Sequence, residues 1–333
     1  MRVLFMGSAT FAVPILEALC ADDVEVVGVV TQPDRPRGRG RQPSPTPVKV
    51  AAQRLQLPLL EPPKIRAAQA ISQVAATRPE LIVTAAYGQI IPPALLDLPV
   101  RGCVNVHPSL LPKYRGAAPI QRALWAGETE TGVSIVYMTE QVDAGAILAQ
   151  QVVPIDPDEN TQQLGDRLAR LGAALLIATL PALRAGTAKA LPQEDRLATL
   201  APKISPEEEW IVWEQPARQV HNQVRALSLQ PAAKTRLGEK VVQILQTQVV
   251  EERATTLTPG QVQATHGRVL VGCLPGTLLL QRVKPAGRQE MEAWAWVQGL
   301  RQQTFRFQSG PPAPPKPCGE DRVPGEDVEV DHP

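Results

Sequence analysis

The chain opens with short, continuous apolar runs separated by segments with a helical period. Val24–Thr31 reads VEVVGVVT, a run too short for a helix and without the polar alternation of a half-exposed strand. Such a run is what a parallel sheet covered on both faces requires. Arg2–Met6, Leu81–Ala86 and Cys103–His107 repeat the pattern. Between and after them, Ala12–Cys20, Val48–Leu55, Arg66–Thr77, Pro119–Ala126 and Thr161–Leu183 carry helical patterns. Strand and helix in alternation predict an α/β domain over residues 1–188, with a Rossmann-like, doubly wound, mostly parallel sheet.

The pattern then changes. Residues 189–206 hold Pro192, Pro202 and Pro206 and no apolar period, so a linker is expected. Ala217–Leu227 reads as a helix, and Val241–Glu251, Arg268–Gly272 and Thr277–Val283 as strands with turns between them. A small OB-like β-barrel over residues 207–307 is expected. Residues 308–333 are proline-rich and mostly acidic, with too little apolar surface to offset ordering, so disorder is predicted there.

Composition narrows the classes. Apolar residues make up 44% but aromatics only 4%, so the cores are expected to rest on Val, Leu, Ile and Ala. No apolar run reaches the roughly 18 residues of a membrane span, and the N-terminus runs from a strand into a Gly turn as no signal peptide does. Cys20, Cys103, Cys273 and Cys318 are scattered, which argues against a disulfide framework and fits the cytoplasm. His107, His221, His266 and His332 show no paired-ligand spacing, so no metal is expected, and His221 and His266 read as structural or surface residues. A net charge of +1 leaves polyanion binding to local patches. The turn Gly7–Ala12 is not the GxGxxG of dinucleotide enzymes.

Asn105 and His107 lie two apart on a predicted strand, so their side chains share a face. At the carboxyl end of a parallel strand they stand where open α/β sheets bind ligands. Alone, such a pair often does no more than cap a strand end. Asp143 follows the predicted strand Val133–Met138 in a second polar loop, where it would orient the imidazole. An amide, an imidazole and a carboxylate at one sheet edge suit acyl transfer, which needs donors for an oxyanion and a route for a proton. Thr31–Lys49 sets Arg35, Arg37, Arg39, Arg41 and Lys49 against Asp34. A charge run is most often a solvated loop, but Arg alternating with Gly also suits a phosphate chain.

Asn105-Val106-His107, Ser109-Leu110-Leu111-Pro112 and Asp143-Ala144-Gly145 together resemble the folate-dependent formyltransferases. The run Arg115–Gln121, the Arg-rich loop and the C-terminal pattern make the chain similar to the methionyl-tRNA formyltransferase family, from Met1 to about Leu300. The resemblance implies 10-formyltetrahydrofolate as formyl donor and initiator methionyl-tRNA as acceptor; a monomer is expected. It implies catalysis by Asn105, His107 and Asp143, and tRNA contact by Arg35, Arg37, Arg39, Arg41 and Lys49. Ser109, Leu110, Leu111 and Pro112 would line the folate. Tyr87, Ile90 and Ile91, which follow the Leu81–Ala86 strand, offer a second wall, with plain core packing as the alternative for the isoleucines. Lys113 and Arg115 suit either folate or tRNA. One departure stands out: the stretch Ala226–Thr235 lacks the aromatic the family usually carries there. Two other readings stay open at this stage, a small-molecule formyltransferase acting on glycinamide ribonucleotide or an amino sugar, and a non-catalytic RNA-binding relative.

Overall fold

The computed structural model describes residues 1–37, 42–228 and 231–311. Strand β1 (Arg2–Gly7) leads through α1 (Val13–Ala21) to β2 (Glu25–Val30). A hairpin of β3 (Arg35–Arg37) and β4 (Gln42–Ser44) precedes α2 (Pro47–Arg54). Then come β5 (Leu59–Leu60), α3 (Ala68–Ala76), β6 (Leu81–Ala85), α4 (Pro93–Leu96), β7 (Cys103–His107), β8 (Arg115–Gly116) and α5 (Pro119–Ala126). The first unit closes with β9 (Glu130–Tyr137), β10 (Ile147–Pro154) and α6 (Thr161–Ala185).

Its sheet runs β10-β9-β7-β6-β1-β2-β5, parallel from β7 to β5 and antiparallel at β9 and β10. The chain leaves β1 toward β2 and β5, then returns to build β6 and β7 on the other side. That reversal opens a crevice beyond the carboxyl ends of β1 and β6.

The strands alternate cleanly between two cores. Val3, Phe5, Leu81, Val83, Val104 and Val106 pack with α1 and α6 on one face. Leu4, Met6, Ile82 and Cys103 pack with α3 and α4 on the other. By the same alternation Asn105 and His107 share the Cys103 face, beyond the reach of its helices. α6 is the one described helix long and apolar enough to cross a membrane, which the reading of short apolar runs overlooked. Its Leu164, Leu168, Leu176, Leu180 and Leu183 are buried in the first core.

The segment expected to be a bare linker is ordered and holds β11 (Leu200–Ala201), which pairs in parallel with β8. The second unit begins with α7 (Ala217–Ala226) and continues with β12 (Ala233–Leu237), β13 (Lys240–Glu251), β14 (Gln261–Thr265), β15 (Arg268–Gly272) and β16 (Thr277–Pro285). β17 (Met291–Glu292), α8 (Ala293–Leu300) and β18 (Thr304–Arg306) complete it. The antiparallel order is β12-β13-β16-β15-β14-β18, a curled, barrel-like sheet. The helix α8, unforeseen in the pattern, covers it. Its core also corrects the expectation of an aliphatic interior: Trp213 and Trp296 both stack on Phe307, with centroids 5.6 and 6.1 Å apart, and Phe305 meets Trp296 and Phe307 edge-on. Four of the chain's twelve aromatics meet there. The tail expected to be disordered from Gln308 starts later than that: the Gln308 and Gly310 N–H groups donate to the carbonyls of Arg236 and Ile211, and the Ser309 hydroxyl donates to Glu214, while residues 312–333 lie outside the described residues.

Two arginine side chains bridge the units. Arg122 on α5 grips Glu208 with both Nη atoms at 2.6 and 2.9 Å, and its Nε and Nη2 donate to the carbonyls of Pro202 and Lys203. Arg225 on α7 is buried and donates to the carbonyls of Asp156, Glu159 and Leu124.

Candidate active site

Thr84 near the end of β6 donates its hydroxyl to Oδ1 of Asn105 at 2.8 Å. That bond fixes which end of the amide faces outward: Nδ2 points to Oδ1 of Asp143 at 3.3 Å. Two residues on, the His107 ring is nearly enclosed. Its Nε2 lies 3.0 Å from the Tyr114 carbonyl and its Nδ1 lies 3.6 Å from Oδ2 of Asp143. A carbonyl only accepts, so Nε2 carries a proton and Nδ1 is the nitrogen presented to the site. The three groups expected at one sheet edge therefore meet around one carboxylate.

Asp143 holds its place through backbone geometry. Its φ of 53° lies in the left-handed region, uncommon for a residue with a Cβ. The Gly116 N–H donates to its Oδ2 at 2.9 Å. Two residues later Gly145 passes so close to β9 that a Cβ there would sit 1.9 Å from the Tyr137 carbonyl oxygen. Gln193, from the segment between the two units, donates Nε2 to the carbonyls of Asp143 and Gly145 at 2.8 and 2.7 Å. Thr84 and Gln193 are the supports that sequence reasoning missed. The first lay in plain view in the LIVTAA strand, directly beside Asn105 in register. The second carried no local signal.

The residues expected to meet the folate differ in exposure. Ser109 is wholly buried and donates its hydroxyl to the Lys113 carbonyl at 2.7 Å, while its own carbonyl accepts from Ser134 Oγ. Leu111 is buried too, its N–H donating to Ser134 Oγ and its carbonyl accepting from Gln150. These two shape the loop and leave only Leu110 and Pro112 partly exposed. Tyr87 and Ile91 belong to the core under α3 and α4. Burial pushes the Tyr87 hydroxyl up to about 12, and that oxygen has no hydrogen-bond partner among the described residues. Ile90 is 78% exposed and is the one of the three free to meet a ligand. The loop that carries it is pinned where Ser8 Oγ and Gln32 Nε2 both donate to the Tyr87 carbonyl.

The basic loop divides likewise. Lys49 is only 16% exposed and pairs with Asp34 and Glu61, each at 2.9 Å, which raises its pKa. It braces the base of the loop and is not presented to a polyanion. Arg35 is exposed on β3, Arg37 ends that strand, and Arg39 and Arg41 lie outside the described residues. Arg115 is held by Gln193 and Asp195, and Lys113 by Glu128. His221 is a buried structural residue: Nδ1 meets the Thr247 hydroxyl and Nε2 the Pro157 carbonyl, and burial lowers its pKa. Among the described residues no cluster of His, Cys, Asp and Glu is arranged to hold a metal ion.

Residues 1–180 match the family model described as formyl transferase, and residues 203–301 match the one described as formyl transferase, C-terminal domain. The methionyl-tRNA formyltransferase of Moorella thermoacetica is 45% identical over 300 residues, covering 90% of this chain and 96% of its own length. The methionyl-tRNA formyltransferase of Pelobacter propionicus is 44% identical over 298 residues, covering 89% and 92%. Among solved structures, HypX from Aquifex aeolicus in complex with tetrahydrofolic acid superposes with a TM-score of 0.63 at 20% identity, over 90% of this chain and 47% of that one. This chain thus spans about half the length of HypX. The N-formyltransferase from Helicobacter canadensis gives 0.61 at 15% identity, over 87% of this chain and 100% of its own. Both structural likenesses concern the fold alone.

Proposed function

The chain belongs to the methionyl-tRNA formyltransferase family, and on that premise we propose that Asn105, His107 and Asp143 carry out transfer of a formyl group to the α-amino group of methionine on initiator tRNA. Formylation of methionyl-tRNA is the activity, and the small-molecule acceptor of the rival reading is not favoured. The donor is 10-formyltetrahydrofolate, and the product serves translation initiation in the cytoplasm.

The amine attacks the formyl carbon and the carbonyl oxygen takes up negative charge. Asn105 Nδ2–H and His107 Nδ1–H donate to that oxygen. With the Nε2 proton engaged by Tyr114, Nδ1 carries a proton only in the imidazolium form, and the Asp143 carboxylate opposite offsets that charge. Donors aimed at a developing oxyanion in a water-poor site are worth about 3–4 kcal/mol of barrier each. Asp143 receives the proton lost by the amine, through a water. Collapse of the tetrahedral species breaks the bond to the folate nitrogen, which leaves with the proton that Asp143 took up, so the carboxylate is restored. The order of events needs no covalent intermediate on the protein.

Ile90, exposed, and Leu110 and Pro112, partly exposed, line the folate. The acceptor arm of the tRNA meets Arg35, Arg37, Arg39 and Arg41. The curled second sheet, read as OB-like, adds Lys240, Arg268, Lys284 and Arg288, all exposed.

The observation that carries this reading is the convergence of Asn105 Nδ2 and His107 Nδ1 on the two oxygens of Asp143. Purified protein with 10-formyltetrahydrofolate should formylate initiator methionyl-tRNA and leave elongator methionyl-tRNA and small amines largely unmodified. Equal transfer to small amines would sink the tRNA assignment.

A further inference from the structure

The segment between the two units does more than connect them. Among its exposed neighbours Gln193 alone from 191 to 197 is half-buried, and every hydrogen-bonding group of its amide is engaged. Nε2 donates to the carbonyls of Asp143 and Gly145, and Oε1 accepts from Nε and Nη2 of Arg115 at 3.0 and 2.8 Å. Flipping the amide would set oxygen against two carbonyls and an NH2 group against a guanidinium, so one orientation is dictated. Downstream, Thr199 takes the Tyr114 N–H on its hydroxyl and the Arg115 N–H on its carbonyl, both at 2.9 Å. The same short stretch therefore grips both loops that flank the imidazole. One supplies the Tyr114 carbonyl on Nε2, the other the carboxylate facing Nδ1.

We propose that Gln193 is a positioning residue for formyl transfer, which holds the left-handed turn at Asp143 and thereby keeps its carboxylate opposite His107. The proposal rests on the assignment of Asp143 to the reaction. The φ of 53° at Asp143 is a conformation that its surroundings must enforce. The two carbonyls that Gln193 ties together belong to that residue and to Gly145, on either side of Ala144. Without the amide both carbonyls are left without that donor, and the turn has less to keep it from relaxing to a commoner geometry. The carboxylate then swings away from Asn105, His107 and the Gly116 N–H together.

The test uses the full-length protein. Gln193→Met keeps the length and removes donors and acceptor; Gln193→Glu keeps the acceptor for Arg115 and removes the donors. Both should lower kcat roughly tenfold to hundredfold, since a displacement of about 1 Å at a reacting group has that effect. The KM values for methionyl-tRNA and for the formyl donor should stay within about twofold, the pattern of a group that acts on the chemical step. Asp143→Asn is measured beside them. In that background Gln193→Met should cost less than about threefold more, because both changes remove one arrangement. Gln193 variants with kcat within about twofold of the parent, or effects that multiply in full with Asp143→Asn, overturn the positioning role. A fall in melting temperature with unchanged kcat identifies a brace for the fold only, and overturns it as well. If Asp143→Asn itself leaves kcat untouched, the assignment of Asp143 fails, a result the Gln193 variants alone cannot mimic.

Discussion

His107 gives its Nε2 proton to the backbone carbonyl of Tyr114 at 3.0 Å, and Tyr114 itself adopts a φ of 63°. The relationship turns a loop carbonyl into the element that selects the tautomer. An imidazole held in this way can offer a second proton only from Nδ1, on the side of Asp143.

Replacing His107 by Ala should therefore lower kcat by about a hundredfold to a thousandfold, the usual effect of removing an oxyanion donor. Folate affinity should be little changed, since the ring is almost enclosed by protein. Steady-state kinetics with a fluorescence titration of the folate check both halves. Near-normal turnover with intact folate binding would remove His107 from the chemistry.

Arg37, Arg39 and Arg41 changed together to Glu should raise the KM for methionyl-tRNA and leave the folate KM alone. Each phosphate that is no longer neutralised also flattens the salt dependence of binding by about one unit of log–log slope. Kinetics across a salt series will show it. Equal weakening toward both substrates would mean that the loop supports the fold.

Gly145→Ala should cost about 1–3 kcal/mol of stability through overpacking, because its Cβ has only 1.9 Å to the Tyr137 carbonyl oxygen. The strand cannot yield without losing register, so the Asp143 turn gives way instead. Stability to chemical denaturation and kcat should fall together in this variant. A stable, fully active Gly145→Ala protein would contradict the tight approach.

Acid should loosen the contact between the two units. The Arg122 fork holds the Glu208 carboxyl down to about 2, below its ordinary 4.5. A depressed carboxyl contributes stability above the unfolded value and loses it as pH falls toward the folded one. That contribution is complete above about 4.5 and fades on the way to 2. Melting temperatures taken across this window should drop less steeply in Arg122→Ala than in the parent, because the variant has no such contribution to lose.

Trp213 should be the most costly aromatic to truncate. Its ring stacks on Phe307 and its Nε1 donates to the buried Thr235 hydroxyl at 3.0 Å. Trp213→Ala should destabilise the second unit by about 3–5 kcal/mol, read from the midpoint of urea unfolding.

What the sequence made legible follows from short-range geometry. Asn105 and His107 are two residues apart on one strand, and a period of two suffices to put them on a common face. The alternation of Val3 and Phe5 with Leu4 and Met6 between two cores is the same rule at work. Contacts between distant segments carried no such mark. Lys49 is neutralised by Asp34 and Glu61, neither beside it in the chain. Trp213, Trp296 and Phe307 meet only once the second sheet has curled. Ser109 looked available in a Ser-Leu-Leu-Pro loop, yet its hydroxyl is taken by a backbone carbonyl that no residue type announces. The Arg-rich stretch and the Asp143 turn stand out in the sequence because charge and turn chemistry are local properties.

The ordered passage from Gln193 to Lys203 bears on how such chains can be recombined. A first unit ending near residue 188 would forfeit the partners of Tyr114, Arg115 and the Asp143 turn, and Arg122 would be deprived of the carbonyls of Pro202 and Lys203. By inheritance of contacts, those residues travel with the sheet that precedes them. A chimera that joins this first unit to a relative's second unit should keep its chemistry only when the joint falls after Lys203.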